Sequence, residues 1–222
     1  MYHLVVFDWE GTIRDSYGHL WHILKQQAEE LGLPPFSKEP ALPYLNAGIK
    51  IFLKKLFPTL SPEQLQLLQE HVQAATPHVA PQVFLVDGVT DLIQTLHAQG
   101  ILLAIATNKN FQNLQRDLDI TQLQPYFSCI RTAGQTQPKP NPQMLSEIMQ
   151  FYHVAPEKTL MIGDTNTDLE MAHAARVSSL GIDIYYENLN SLLNAKPCAV
   201  FHDYPSLSQW LLPKIQGTPA HE

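Results

Sequence analysis

The chain is poor in the residues that mark several function classes. Among its 222 residues there are two cysteines, Cys129 and Cys198, far apart and each in a stretch read as a strand. That is too few for a disulfide framework or a cysteine-built metal cluster. They are expected as small buried hydrophobes in a reducing cytoplasm. Positive charge is also scarce. Fourteen Lys and Arg stand against 21 Asp and Glu, for a net charge of −7, which excludes a surface that neutralises phosphates in bulk, as on nucleic acid or an anionic membrane. No stretch reaches the roughly 18 apolar residues of a membrane span. The N-terminal apolar run of about five residues meets Asp8 too early for a signal peptide. There is no internal repeat and no Gly-rich phosphate loop of the Walker type. A soluble, cytoplasmic protein is expected, binding any phosphate locally.

What is present is a core-forming composition, 45% apolar and only 16% charged, enough to bury a substantial interior. Leu4-Val5-Val6-Phe7 reads as a buried parallel strand delivering two carboxylates, Asp8 and Glu10, just before Gly11 turns the chain. From Ser16 to about Pro81 the pattern is helical throughout. It has segments at His19–Leu31, Leu42–Phe57 and a third opened by the capping-box signature Ser61-Pro62-Glu63-Gln64 and running to about His78. From Val83 onward strand and helix alternate. Strands are expected at Ile101–Ala106, Phe127–Arg131, Thr159–Ile162, Ser178–Ile182 and Ala199–Phe201. Between and after them lie helices at Val89–Gln99, Phe111–Leu118, up to Tyr152, Thr167–Ala175 and Ser206–Leu212. Such alternation demands a parallel sheet covered on both faces by right-handed crossovers. The expected fold is α/β, a Rossmann-like doubly wound sheet formed by residues 1–15 and 82–222, with residues 16–81 inserted as an α-helical cap. The polar tail from Gln216 to Glu222 reads as frayed.

A parallel sheet brings complementary polar groups to one edge. These are Asp8 and Glu10 after the first strand, Thr107 and Asn108 after the second, Lys139 in the loop Gln137-Pro138-Lys139-Pro140, and Asp164 after the fourth, with Asp168 one helical turn on. Carboxylates, a hydroxyl-amide pair and one fixed ammonium suit Mg2+-assisted phosphoryl transfer. The acids hold a hard cation while Thr107 and Lys139 bind phosphoryl oxygens. Mn2+ would suit the same oxygens.

These stretches, Asp8-x-Glu10-Gly11-Thr12, Thr107-Asn108-Lys109, Lys139-Pro140-x-Pro142 and Gly163-Asp164-Thr165-x-x-Asp168, resemble in order the four motifs of the haloacid dehalogenase-like hydrolases. The helical insertion and the return through Val86-Asp87-Gly88-Val89 are similar too. The resemblance implies a phosphatase of the phosphoglycolate phosphatase and β-phosphoglucomutase branch, acting on a small phosphorylated metabolite with Mg2+. Asp8 would be the nucleophile that becomes an aspartyl-phosphate. Glu10 would be the acid and base, its backbone carbonyl joining Asp8 and Asp164 at the metal. Thr107, Lys139 and Asn108 would hold the phosphoryl group. For Asp168 two roles stand side by side, a tether for Lys139 or a metal-bound water and a carboxylate placed to favour a helix start. Asn46-Ala47-Gly48-Ile49-Lys50 falls where such caps read their substrate. Gly48 would allow close approach and Lys50 would meet an anion, against the plainer reading of a flexible residue and a solvated lysine. His19 and His22 read as a helical surface pair, Arg14 and Asp15 as a hinge, and Lys54-Lys55 as a solvated face.

The chain departs from the family pattern at two points. Glu10 stands where the phosphatases have Asp, which keeps the acid but lengthens its reach by about 1.5 Å. Arg176 stands where relatives commonly have Gly at a helix end. A β-phosphoglucomutase-like phosphotransferase and a weakly active or inactive phosphometabolite-binding protein are the alternatives.

Overall fold

The computed structural model describes residues 1–45, 48–75 and 82–215. The chain opens with β1 (Leu4–Phe7). Helices α1 (Gly18–Glu30), α2 (Ile49–Leu56) and α3 (Pro62–Ala75) follow. Then come α4 (Val89–Ala98), β2 (Leu102–Thr107), α5 (Phe111–Thr121), β3 (Cys129–Thr132), α6 (Gln143–Tyr152) and β4 (Thr159–Gly163). The chain closes through α7 (Asn166–Ala174), β5 (Ser178–Ile182), α8 (Leu189–Asn194), β6 (Ala199–Phe201) and α9 (Tyr204–Leu211). Two compact units result, one of Met1–Asp15, Leu85–Ile184 and Asn188–Glu222, the other of Ser16–Phe84 with Tyr185–Glu187. Among the described residues no helix is long and apolar enough to cross a membrane.

The first unit is a six-stranded sheet in the order β3-β2-β1-β4-β5-β6, parallel at every pairing. This is the Rossmann-like α/β architecture, with the order reversing beside β1. Alternate residues of each strand face opposite layers. Leu4 and Val6 join Ala104, Met161, Met144 and Ile148 in one buried cluster. On the other face Phe7 meets the edge of Phe127, with ring centroids 6.3 Å apart. Burial on both sides is why the strands read as continuous apolar runs rather than alternating ones.

The helical unit has a core of its own, in which Ile23, Leu24 and Ala28 of α1 pack with Phe52, Leu53 and Leu56 of α2 and Leu68 and Val72 of α3. Its third helix starts as expected, the Ser61 hydroxyl accepting the Gln64 N–H at 3.3 Å while the Gln64 side chain accepts the Ser61 N–H at 2.9 Å. Residues 76–78 of that expected helix lie outside the described residues. The single helix expected over Leu42–Phe57 is instead a 3₁₀ turn at Glu39–Tyr44 followed by α2. The chain stays helical through Leu45, but Gly48, the N-cap of α2, takes φ 93° and ψ 145°, outside the helical region, so the second helix starts afresh at Ile49. Tyr185 and Glu187 belong to this unit through Tyr17, whose hydroxyl donates to Glu187 Oε1 at 2.7 Å and whose ring lies 4.6 Å from that of Tyr185.

Two further details differ from the sequence reading, and one lies beyond comparison. The short helix α8 was not expected, because it is six residues long and buries only Leu192, too little for a periodic signal. The polar tail from 216 lies outside the described residues. Cys129 is buried but Cys198 is exposed, since β6 begins only at Ala199.

Arg176 has a φ of 61°, directly after the C-cap of α7 at Ala175. Glycine fits this left-handed conformation without the Cβ clash that costs other residues about 1–2 kcal/mol, partly offset by glycine's freedom in the unfolded chain. Because Arg176 is exposed, Arg176→Gly is expected to stabilise the protein by up to about 1 kcal/mol. A rise of a few degrees in Tm checks this, and an unchanged or lower Tm contradicts it.

Candidate active site

Three strand ends converge. β1 gives way to Asp8, whose N–H still donates to the Ile162 carbonyl of β4 at 2.9 Å. β2 ends on Thr107 and β4 on Gly163, followed by Asp164. Phe7 is in register with Ile105 on one side and Ile162 on the other, so Asp8, Thr107 and Asp164 share the carboxyl edge where the strand order reverses. Open α/β sheets bind ligands there.

The turn after β1 is shaped for close approach. Gly11 takes a φ of +73°, and a Cβ on it would lie 2.2 Å from Asp164 Oδ2, so any other residue would push the carboxylate away. Thr12 Oγ1 donates to Asp164 Oδ1 at 3.3 Å. The buried Tyr204 hydroxyl donates to the Thr12 carbonyl at 3.0 Å and fixes the turn from below. Asn188 Nδ2 donates to the Asp164 carbonyl at 3.1 Å.

Lys139 enters from the loop before α6 and is buried. Its ammonium donates to Asp8 Oδ1 at 2.6 Å and also to Asp168 Oδ1. Its backbone N–H is held by Asn108 Oδ1 at 2.9 Å. The Lys139–Pro140 peptide bond is cis. Asp168 fills both roles left open by the sequence. One oxygen meets Lys139, and the other accepts the Thr165 N–H at 3.0 Å and its hydroxyl at 2.8 Å in the capping box of α7.

The electrostatics follow from crowding. Burial, with the charges of Asp8 and Asp168, pushes the Asp164 carboxyl up to about 8. Burial also pushes Asp8 up, to about 6, against the downward pull of Lys139. Lys139 resists the opposite effect of burial because Asp168 and Asp8 hold its proton, and its pKa is raised. One carboxylate oxygen from each of Asp8, Asp164 and Asp168 lies within 4.8 Å of the others. A hard oxygen donor set with excess negative charge fits a divalent cation such as Mg2+.

Glu10 is placed differently. Both of its carboxylate oxygens accept from Arg14 Nη1 at 2.8 Å, and Oε1 also contacts Lys109 Nζ. Its side chain is therefore not in the metal-sized group, and its backbone carbonyl is the atom the resemblance assigns there. Thr107 is buried at the end of β2, its hydroxyl accepting the Lys109 N–H at 3.2 Å. Gly48 and Lys50 belong to the helical unit and are exposed. Their neighbours Asn46 and Ala47 lie outside the described residues. Lys109, Asp117 and Tyr204 were missed by sequence reasoning. Asp117 had a signal, since it falls between Leu114 and Leu118 on the buried face of α5, where a lone carboxylate needs a partner.

A family profile described as haloacid dehalogenase-like hydrolase matches residues 5–182. The chain belongs to the haloacid dehalogenase-like hydrolases. Within that family it is similar to a phosphoglycolate phosphatase of Vibrio cholerae, 28% identical with 94% of this chain and 96% of that one covered. A phosphoglycolate phosphatase of Thiobacillus denitrificans is 31% identical over 77% of this chain and 78% of its own. Among solved structures, a predicted phosphoglycolate phosphatase from Haemophilus somnus superposes with a TM-score of 0.62 at 21% identity, covering 94% of this chain and 97% of that chain. A β-phosphoglucomutase-like protein of Thermotoga maritima also gives 0.62, at 20% identity with 95% and 100% covered. At those identities the structural likeness concerns the hydrolase fold.

The crowding of this hydrolase's acids has a measurable sign. Asp8 and Asp164 titrate above their ordinary 3.8, so the folded chain binds more protons than the unfolded one between about pH 4 and 8. Their contribution to stability is therefore lost as pH rises through that window. In metal-free protein, Asp164→Asn is expected to gain on wild type by on the order of 2 kcal/mol between pH 5 and 9. Mg2+ should raise the wild-type Tm more at pH 8 than at pH 5. Parallel melting curves for the two proteins across this range would contradict the assignment.

Proposed function

We propose that this hydrolase is a Mg2+-dependent phosphatase of small phosphomonoester metabolites, working through an aspartyl-phosphate on Asp8. The observation that carries this reading is the buried Lys139 ammonium bonded at once to Asp8 and Asp168, beside Asp164 and at the same sheet edge as Thr107. The relatives named phosphoglycolate phosphatase make phosphoglycolate the first substrate to test.

Asp8, Asp164 and the Glu10 carbonyl would hold Mg2+, which would supply positive charge against the phosphoryl oxygens. A carboxylate oxygen of Asp8 attacks phosphorus and the bond to the leaving oxygen breaks. The Glu10 carboxyl gives a proton to the departing alkoxide, so the alcohol leaves neutral. Water then attacks the phosphorus of the acyl phosphate, Glu10 takes its proton, and Asp8 and inorganic phosphate are restored. Lys139 fixes the attacking carboxylate and, with Thr107, donates to phosphoryl oxygens as their charge redistributes.

Asp8→Asn should lower kcat on phosphoglycolate or p-nitrophenyl phosphate by at least roughly a thousandfold, with the fold retained by circular dichroism. Unchanged turnover would remove Asp8 as nucleophile. Thr107→Val, which keeps the shape and deletes one donor, should cost about a hundredfold in kcat.

A further inference from the structure

Around Glu10 lies a second charge cluster, whose members Arg14, Lys109 and Asp117 have no role in phosphoryl transfer as described above. Asp117, on the buried face of α5, is 1% exposed. Its Oδ2 accepts the indole N–H of the fully buried Trp9 at 3.2 Å and lies 3.0 Å from Lys109 Nζ. Arg14 Nε is 4.0 Å from the same oxygen, and Arg116 reaches Oδ1 at 3.6 Å from a largely exposed position. Lys109 and Arg14 are the two cations that hold the Glu10 carboxylate. The inner cluster is thus two carboxylates and two cations, with Asp117 at its buried end and Glu10 at its open end. Trp9 and Glu10 are separated by one peptide bond, so the contacts of Asp117 fix both the backbone before Glu10 and the ammonium on its side chain.

A carboxylate placed in a helix's apolar face is costly unless paired. Here it is paired with groups whose other ends meet Glu10. We infer that Asp117 is a positioning residue for Glu10, acting through Lys109 and Trp9, and that the longer side chain at position 10 works because this cluster fixes where it ends. The inference rests on the phosphatase reading, in which Glu10 is the acid. Removing the Asp117 charge leaves Lys109 with Glu10 as its remaining carboxylate and Arg14 without its inner counter-charge. The acid is then displaced, and a displacement of about 1 Å can cost roughly a hundredfold.

The test exploits what the acid does. Proton donation matters for a poor leaving group and little for a good one. Measuring kcat/KM, which reports the step that forms the aspartyl-phosphate, separates leaving-group protonation from the later water attack. Asp117→Asn should lower kcat/KM on phosphoglycolate, an alkyl ester, by ten- to a hundredfold, and on p-nitrophenyl phosphate by less than about threefold. Lys109→Gln, which leaves Asp117 in place, should show the same split. In a Glu10→Gln background, Asp117→Asn should add less than about twofold, because the group it positions is already gone. Equal losses on both esters, or full additivity with Glu10→Gln, would overturn the positioning role and leave the phosphatase reading standing. A folded wild type inactive on both esters with Mg2+ would overturn both.

Discussion

The active-site edge depends on one buried ammonium. Lys139 bonds to Asp8 and Asp168 together, and without it three carboxylates, two of them buried, would stand within a few ångströms of one another. Burial raises the cost of each charge, while the lysine repays it only because its loop is anchored by Asn108 and its second carboxylate is anchored by the cap of α7. The strand ends supply the positions; this cation makes their occupation by acids tolerable.

The same logic divides the site into two electrostatic compartments. In the first, Asp8, Asp164, Asp168 and Lys139 carry an excess of negative charge, as a centre that binds a divalent cation requires. In the second, Glu10, Arg14, Lys109 and Asp117 are balanced, two of each sign. The turn Trp9–Arg14 joins them, and its shape is enforced by Gly11 against Asp164 and by Tyr204 beneath Thr12. Neighbouring carboxylates on one short stretch thus sit in different environments, the condition under which chemically similar groups take different roles.

Much of this is legible in the sequence itself. Buried parallel strands write themselves as continuous apolar runs, so β1, β2 and β4, and the polar residues at their ends, could be read from the sequence. Asp8, Thr107 and Asp164 follow from that placement, while Lys139 comes from the loop before α6. The rest depended on partners remote in the chain. That Glu10 would turn to Lys109, or Tyr204 to Thr12, is encoded in packing between elements, which local pattern does not carry. Helical periodicity over Leu42–Phe57 was real, but the backbone leaves the helical region at Gly48. Asp168 was ambiguous because it satisfies a local cap and a distant lysine at once, and only the second contact is invisible locally.

The account centres on a covalent bond between Asp8 and phosphorus. Quenching the enzyme during turnover of a phosphomonoester with Mg2+, reducing it with borohydride and mapping its peptides by mass tests that bond most directly. The account predicts reduction of an acyl phosphate at position 8, giving homoserine there in turnover samples and not in substrate-free controls. An unmodified Asp8 with phosphate still released, or reduction at another carboxylate, would contradict it.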